Sequence, residues 1–441
     1  MYTCGPTVYA PQRVGNIRAR LLPELIKRFL QSEGFEVTHV INITDAGHLV
    51  ADADGGDDKM EVAARKAGVC AQGTADKYTR MWLDDCVAVN CLPPEQNPKA
   101  TDHIPEQIEL GKRLEERGYL YTIADGVYFD TSLFPRYAEL AGLDLEGQEE
   151  GARIGITEGK KNPSDFAVWK FAEPEVKRLQ EWDSPWGRGF PGWHLECSAM
   201  SVRYLGERFD IHTAGIDLVT VHHSNEVAQT ECGFDVRPSV EFWMHNEFLD
   251  MGGEKMSKSL GNGIDPLEVV KSFGADAMRY TLVSQAAMGT DISLDHEDVE
   301  GAFANGRNFA NKIWNAGRFA LLSLGDAPVR PLSEVEGDLA LEDRWILSRV
   351  RSASENATRG LERYRLHDVA ESLYHFFWGE VCDWYLELVK ARLSESADAA
   401  TREAARSTLV AMLDHSYRLL HPIMPFVTAE LWSRLPWPEG D

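Results

Sequence analysis

The chain has 441 residues, 44% of them hydrophobic and 26% charged, globular values that exclude a disordered or fibrous protein. Its 45 Lys+Arg against 70 Asp+Glu leave a net charge of −25. Such acidity excludes a protein that coats nucleic acid or anionic membrane non-specifically, and confines any such partner to a local basic track. At ~150 residues per domain, the length makes room for about three domains. No run approaches the ~18 apolar residues of a spanning helix. The opening MYTCGPTVYAPQRVGNIR lacks a basic segment followed by an apolar one, so no secretory leader and no membrane partner are expected. Cys4, Cys70, Cys86, Cys91, Cys197, Cys232 and Cys382 are scattered without paired spacing. That is no disulfide framework, and a cytoplasmic location follows.

In chain order, Met1–Cys4 is short and apolar and leads into Gly5-Pro6-Thr7. Leu22, Leu25, Ile26, Phe29 and Leu30 repeat at a helical period over Leu21–Ser32. Glu36–Ile43 is β-branched and strand-like. This βαβ opening puts residues 5–16 at a strand's carboxyl end, where open α/β sheets bind ligands. Residues 75–118 read as helical, with a break at Leu92-Pro93-Pro94. Between about 106 and 185, short strands and acidic, Gly-rich turns indicate an inserted subdomain. Strands return at Phe209–His212 and Phe242–Phe248. From about 264 the chain reads as almost wholly helical, with Asp265-Pro266 as cap and first turn. Leu366, Val369, Leu373, Phe377, Val381, Trp384 and Leu388 form one stripe of a core helix.

Lys255-Met256-Ser257-Lys258-Ser259, between Gly252-Gly253 and Gly261-Asn262, places two cations three residues apart on a glycine-flanked loop. That suits a clamp on a leaving polyphosphate, although a solvated basic turn has the same composition. Gly15 allows a backbone to approach a nucleotide closely at a helix start. His222 and Glu226 are four apart and share a helical face, and Cys4 and Cys197 could complete a tetrahedral metal set. Residue types alone favour a surface His/Glu pair and scattered thiols over a metal site.

The Lys255–Ser259 pentapeptide is the signature loop of class I aminoacyl-tRNA synthetases. CGPTVY (4–9), WHLECSAM (193–200) and GIDLVTVHHSNE (215–226) closely resemble cysteinyl-tRNA synthetase, a likeness that runs from residue 1 to about 262. It implies an α/β class I catalytic domain, Rossmann-like, with an inserted subdomain, followed by an all-α bundle. It further implies ATP-dependent activation of L-cysteine, with Mg2+ on the ATP, and transfer to the 3′ end of tRNA. On this likeness Lys255, Lys258 and Arg13 are catalytic, and Gly15, Asn16, Gly215 and Lys258 bind ATP. Gly5, Thr44, Trp193 and Asp217 hold the amino acid, and Cys4, Cys197, His222 and Glu226 hold one cysteine-selecting Zn2+. Trp193 as plain core and Asp217 as a helix cap stay open. His194 and His223 are expected to support the metal ligands or the substrate thiol.

Two positions depart from the family. Arg13 replaces the first histidine of the HIGH motif, and Ala214 adds a methyl to the glycine run at Thr213-Ala214-Gly215. These departures keep two alternatives in view: a tRNA-independent cysteine:amine ligase like the mycothiol ligases, and a non-catalytic tRNA-binding paralogue. GRNFANKIWNAGRFALL (306–322), LEDRWILSRV (341–350) and CDWYLELVKARL (382–393) resemble the valyl/isoleucyl/leucyl branch, which leaves open which tRNA is bound. The expected domains are 1–105 and 186–262 (catalytic), 106–185 (insertion), 263–325 (stem contact) and 326–441 (anticodon-binding type), in a monomer. Arg344, Arg349, Arg351, Lys390 and Arg392 are the expected RNA track.

Overall fold

The computed structural model describes residues 1–46, 60, 63, 70–142, 158–172, 178, 180–255, 263–295 and 298–438. The chain divides into two units, Met1–Asp85 with Leu92–Asn246, and Cys86–Cys91 with Glu247–Asp441. No helix among the described residues is long and apolar enough to cross a membrane.

The first unit is built on a parallel sheet. β1 (Tyr2–Thr3) lies between β2 (Val40–Ile41) and β7 (Phe209–Gly215), and β7 pairs in turn with β8 (Val240–Asn246). The crossover from β1 to β2 is helix α1 (Val14–Ser32). It starts a full two turns before the periodic stretch read from sequence. Asn16 Oδ1 accepts the Arg13 amide at 3.0 Å, and Val14 and Ile17 continue the buried stripe of Leu21 and Leu25. Helices α2 (Ala71–Ala88) and α3 (Ile104–Glu116) flank the Pro93-Pro94 break.

A second, antiparallel sheet runs β3 (Leu120–Ile123), β4 (Gly126–Phe129), β5 (Phe166–Phe171) and β6 (Gly189–Pro191). Its apolar face is covered by α3 and by α4 (Trp193–Leu205), where Leu110, Leu114, Phe129, Phe166, Val168 and Leu195 form one core. After β7, a short turn and a wide helical turn (Val219–His223) lead into α5 (Ser224–Phe234).

In the second unit, β9 (Leu249–Met251) and β10 (Glu254–Lys255) form a hairpin over Gly252-Gly253, and β11 (Ile292–Leu294) pairs with β9. Both glycines have positive φ, 62° and 85°, which favours glycine at this turn. Helices follow: α6 (Pro266–Phe273), α7 (Ala275–Ser284), α8 (Val299–Leu324), α9 (Leu341–Glu362), α10 (Leu366–His375), α11 (Leu386–Leu393), α12 (Ala399–Leu420) and α13 (Pro425–Trp432). Asp265 caps α6 by accepting from the Leu267 amide at 2.7 Å. Fully buried Arg279 donates to the carbonyls of Val89, Pro422 and Ile423 at 2.9, 2.6 and 3.0 Å, while Asp276 accepts from the first amides of α13.

One expected stripe is corrected. Between α10 and α11 the chain makes i→i+5 turns over Phe376–Tyr385. Each such turn takes in more residues than an α-turn, so the apolar phase slips. Trp384 and Leu388 therefore point outward, 63% and 48% exposed, while Tyr385, Leu386 and Val389 fill the core. The buried Tyr385 hydroxyl donates to Asp343 at 3.0 Å. Tyr385→Ala is expected to destabilise the helical unit by about 3–5 kcal/mol in urea unfolding, and Trp384→Ala by less than about 0.5 kcal/mol.

Candidate functional site

The site forms where β1 and β7 end. Gly5 follows Cys4, and a Cβ at Gly5 would sit 1.6 Å from the Asn42 carbonyl oxygen, so no side chain fits. Cys197 lies one turn into α4 and is buried. The wide turn at Val219–His223 takes its local support from Ser224, whose hydroxyl donates to the Val219 carbonyl at 3.0 Å. Such turns favour functional sites because they re-aim consecutive side chains. Here both His222 and His223 are buried, 2% and 0% exposed.

The side chains converge on Glu226, 4% exposed. Its Oε2 lies 3.0 Å from His212 Nε2, and its Oε1 lies 3.0 Å from His222 Nε2 and 3.9 Å from Cys4 Sγ. His223 Nε2 is 3.5 Å from Cys4 Sγ. The ligand atoms of Cys4, Cys197, His222 and Glu226 all lie within 4.8 Å of one another, as do those of Cys4, His212, His223 and Glu226. Behind them, His194 Nδ1 and His222 Nδ1 are 2.9 Å apart, and His223 Nδ1 and His245 Nε2 are 2.8 Å apart.

Burial would push Glu226 up, but His212 and His222 outweigh it and hold the carboxyl below its usual range. Burial would push His222 down, but Glu226 and the Cys4 sulfur raise it to about 10. The Cys4 thiol is lowered against its burial by Cys197 and by His222 and His223, whereas burial and the Cys4 sulfur drive Cys197 well up. His245 is pushed down to about 3 by burial and by His223, so it is neutral at pH 7.

The donor set suits a cation. His222 Nε2 is buried and makes no hydrogen bond among the described residues, although Glu226 Oε1 is beside it. Two thiols, an imidazole and a carboxylate around such an atom are the ligand types of a tetrahedral divalent site, with His194 on the far ring nitrogen as an outer partner.

The structure brings together the four residues expected as metal ligands. Thr44 is buried beside them and donates to Glu196 at 2.5 Å. The half-buried Trp193 ring is tilted against His222, with centroids 4.6 Å apart. Asp217 is exposed on the turn after β7, and a Cβ on Gly215 would meet its Oδ1 at 2.5 Å. Arg13, Gly15 and Asn16 cluster at the start of α1. Burial lowers the Arg13 pKa, and its Nη1 is buried without a hydrogen bond among the described residues. Lys255 contributes backbone to β10, while Lys258 lies outside the described residues.

The sequence reading missed His212, His245, Asn42 and Glu196. The one available signal was polarity at positions where a buried parallel strand should be apolar, as in FDIHTAG.

Residues 1–303 match the family model of the tRNA synthetases class I (C) catalytic domain, and residues 343–441 match the anticodon-binding domain of tRNA ligase. The chain belongs to the class I (C) tRNA synthetase family. Within that family it is similar to cysteine–tRNA ligase 1 of Burkholderia lata, 48% identical over 281 residues, covering 64% of this chain and 59% of that protein. The cysteine–tRNA ligase of Deinococcus radiodurans is 45% identical over 306 residues, covering 69% and 60%. The chain thus spans about three-fifths of the length of the relatives it matches. In fold it is similar to Mycobacterium tuberculosis methionyl-tRNA synthetase in complex with methionyl-adenylate, with a TM-score of 0.72 at 16% identity over 98% of this chain and 92% of that one.

In this class I synthetase, the expected RNA track is largely neutralised by the chain's own acids. Arg349 holds Glu380 through two bonds of 2.6 and 2.8 Å, Arg351 pairs with Glu355 at 3.1 Å, and Lys390 with Glu387 at 2.5 Å. Arg392 turns inward to buried Asp343 at 2.6 Å, which removes it from the surface strip. Arg344 is exposed.

The thiol environments predict an order of reactivity. In metal-free protein at pH 7, iodoacetamide is expected to alkylate Cys4 well before buried Cys197, with surface Cys70 reacting in either state. Peptide mapping by mass spectrometry checks this, and equal rates at Cys4 and Cys197 would contradict the assigned environments.

Proposed function

We propose that the chain activates L-cysteine with Mg-ATP and passes the cysteinyl group to the 3′ end of a tRNA. The observation that carries this reading is the convergence of Cys4, Cys197, His222 and Glu226 on one buried point within a class I synthetase domain. Zinc suits that donor set, and when bound it would accept a soft thiolate from the substrate far better than a serine hydroxyl. A pocket that distinguishes side chains by size alone gains only about 1–3 kcal/mol, so the donor set gives selectivity where shape cannot.

The chain's own groups do the remaining work. Trp193 and Thr44 border the pocket for the side chain, and Asp217 takes the α-ammonium. Gly215 lets the nucleotide approach β7, and Gly15 and Asn16 receive it at the start of α1, where the helix dipole favours phosphate. As the cysteine carboxylate attacks the α-phosphate and pyrophosphate leaves, Arg13, Lys255 and Lys258 stabilise the accumulating negative charge. No protein nucleophile is needed, so positioning and charge supply the rate.

We assign residues 1–105 and 186–262 to the catalytic domain, 106–185 to the insertion, 263–325 to stem contact and 326–441 to anticodon binding. The protein is taken as a cytoplasmic monomer. Arg13 in place of histidine favours a second reading, a ligase that passes cysteine to a small amine.

Cysteine-dependent ATP–pyrophosphate exchange, followed by charging of total tRNA, separates the two. The first reading predicts exchange and charging, whereas exchange without charging would overturn it. Cys197→Ser is expected to lose zinc and the preference for cysteine over serine. Lys258→Ala is expected to lower the exchange rate about 10²–10³-fold.

A further inference from the structure

A chain of hydrogen bonds joins the backbone beside one thiol to the residue beside the other. The Gly5 amide, immediately after Cys4, donates to Asn42 Oδ1 at 2.8 Å. An amide N–H can only donate, so Asn42 must turn its oxygen towards Gly5 and its Nδ2 away. That Nδ2 donates to Thr44 Oγ1 at 3.0 Å. Thr44 then gives its single hydroxyl proton to Glu196 Oε1 at 2.5 Å, and Glu196 immediately precedes Cys197. Every bond runs in one direction. Asn42, Thr44 and Glu196 are only 1%, 2% and 1% exposed, so water cannot replace a broken link and its loss strands a buried polar group.

The two thiols themselves sit on unlike supports. Cys4 stands one residue past the end of β1, while Cys197 belongs to α4. The relay crosses between them through the residues that follow β2, and its side chains are of a size and polarity that tolerate little slack.

We propose that Asn42, Thr44 and Glu196 are positioning residues that hold the Cys4 and Cys197 thiolates at the separation a metal ion requires. This rests on the metal-centre reading above. Outer hydrogen-bond partners of metal ligands characteristically set affinity by about 10–100-fold. The relay assigns that role to groups bonded to the chain flanking the ligands, not to the ligand atoms themselves.

The test uses the full chain loaded with Co2+, whose thiolate charge-transfer bands report the sulfur ligands and whose affinity is read by chelator competition. Thr44→Val is nearly isosteric and removes two links. Asn42→Asp keeps the acceptor for Gly5 but cannot donate to Thr44, and it carries the test if Thr44→Val does not fold. Both are expected to weaken cobalt binding about 10–100-fold and to shift the thiolate bands, while Thr44→Ser restores affinity and spectrum. Unchanged affinity and bands in Thr44→Val and Asn42→Asp, even with a lower melting temperature, would reduce the relay to a structural brace and overturn the proposal. If the unaltered protein shows no cobalt–thiolate bands, the metal-centre reading fails and takes the relay with it. The two failures are thus told apart by whether the parent protein binds cobalt.

Discussion

Strand β1 is two residues long and hydrogen-bonded along both edges, and its register decides where a site can form. Parallel pairing sets Tyr2 opposite His212 and Thr3 opposite Thr213 on one side, and Val40 and Ile41 on the other. Cys4 consequently emerges at the carboxyl end of the sheet, beside the turn that carries His222 and His223 and the first turn of α5 that carries Glu226. A slip of one residue would turn Cys4 to the opposite face. Side chains guard against that slip: the Thr3 hydroxyl lies 2.7 Å from that of Thr213 in β7 and 2.8 Å from His39 Nε2 just before β2, a buried bridge. The same arrangement leaves residues 5–16 at the strand's end, where α1 begins and where an open α/β sheet receives its ligand.

The cluster that results is electrostatically expensive unless it has a purpose. A carboxylate, three imidazoles and two thiols lie within one buried volume, and burial penalises every charged form among them. Without a metal the groups compensate one another, with His222 charged against Glu226 and Cys4. A divalent cation would satisfy the same acceptors at once and displace the His222 proton. The donor set of Cys4, Cys197, His222 and Glu226 is thus compatible with such a cation. In the other unit, cations are spent on internal pairing: Arg279 on carbonyl oxygens, Arg392 on Asp343 and Arg349 on Glu380. These three arginines are therefore not bare surface charge, in a chain whose net charge is −25.

The parallel opening, the short strands that follow α3 and the helical second half could be read from the sequence because each has its own apolar period and turn chemistry. Cys4, Cys197, His222 and Glu226 were legible through the motifs around them. The residues that support them were not. His212, His245, Asn42 and Glu196 come from four separate segments, and only the folded register brings them to the cluster around Glu226. The place of His223 beside Cys4 was expected from the motif, but the wide turn that carries it was hidden, because such a turn breaks the periodicity from which helical faces are read. Wide turns at Phe376–Tyr385 did the same to Trp384 and Leu388. Arg392 looked like surface charge in the sequence, since nothing local announces that Asp343, on another helix, is buried beside it.

If Cys4 and Cys197 hold zinc with room for the substrate thiol, the number of sulfur neighbours at the metal rises when cysteine binds. X-ray absorption at the zinc edge, on the full chain with and without L-cysteine, reads that number. Two sulfur neighbours are expected in the free protein and three when cysteine is added, with serine leaving the count at two. A sulfur count that does not change with cysteine, or neighbours that are nitrogen and oxygen alone, would rule this arrangement out.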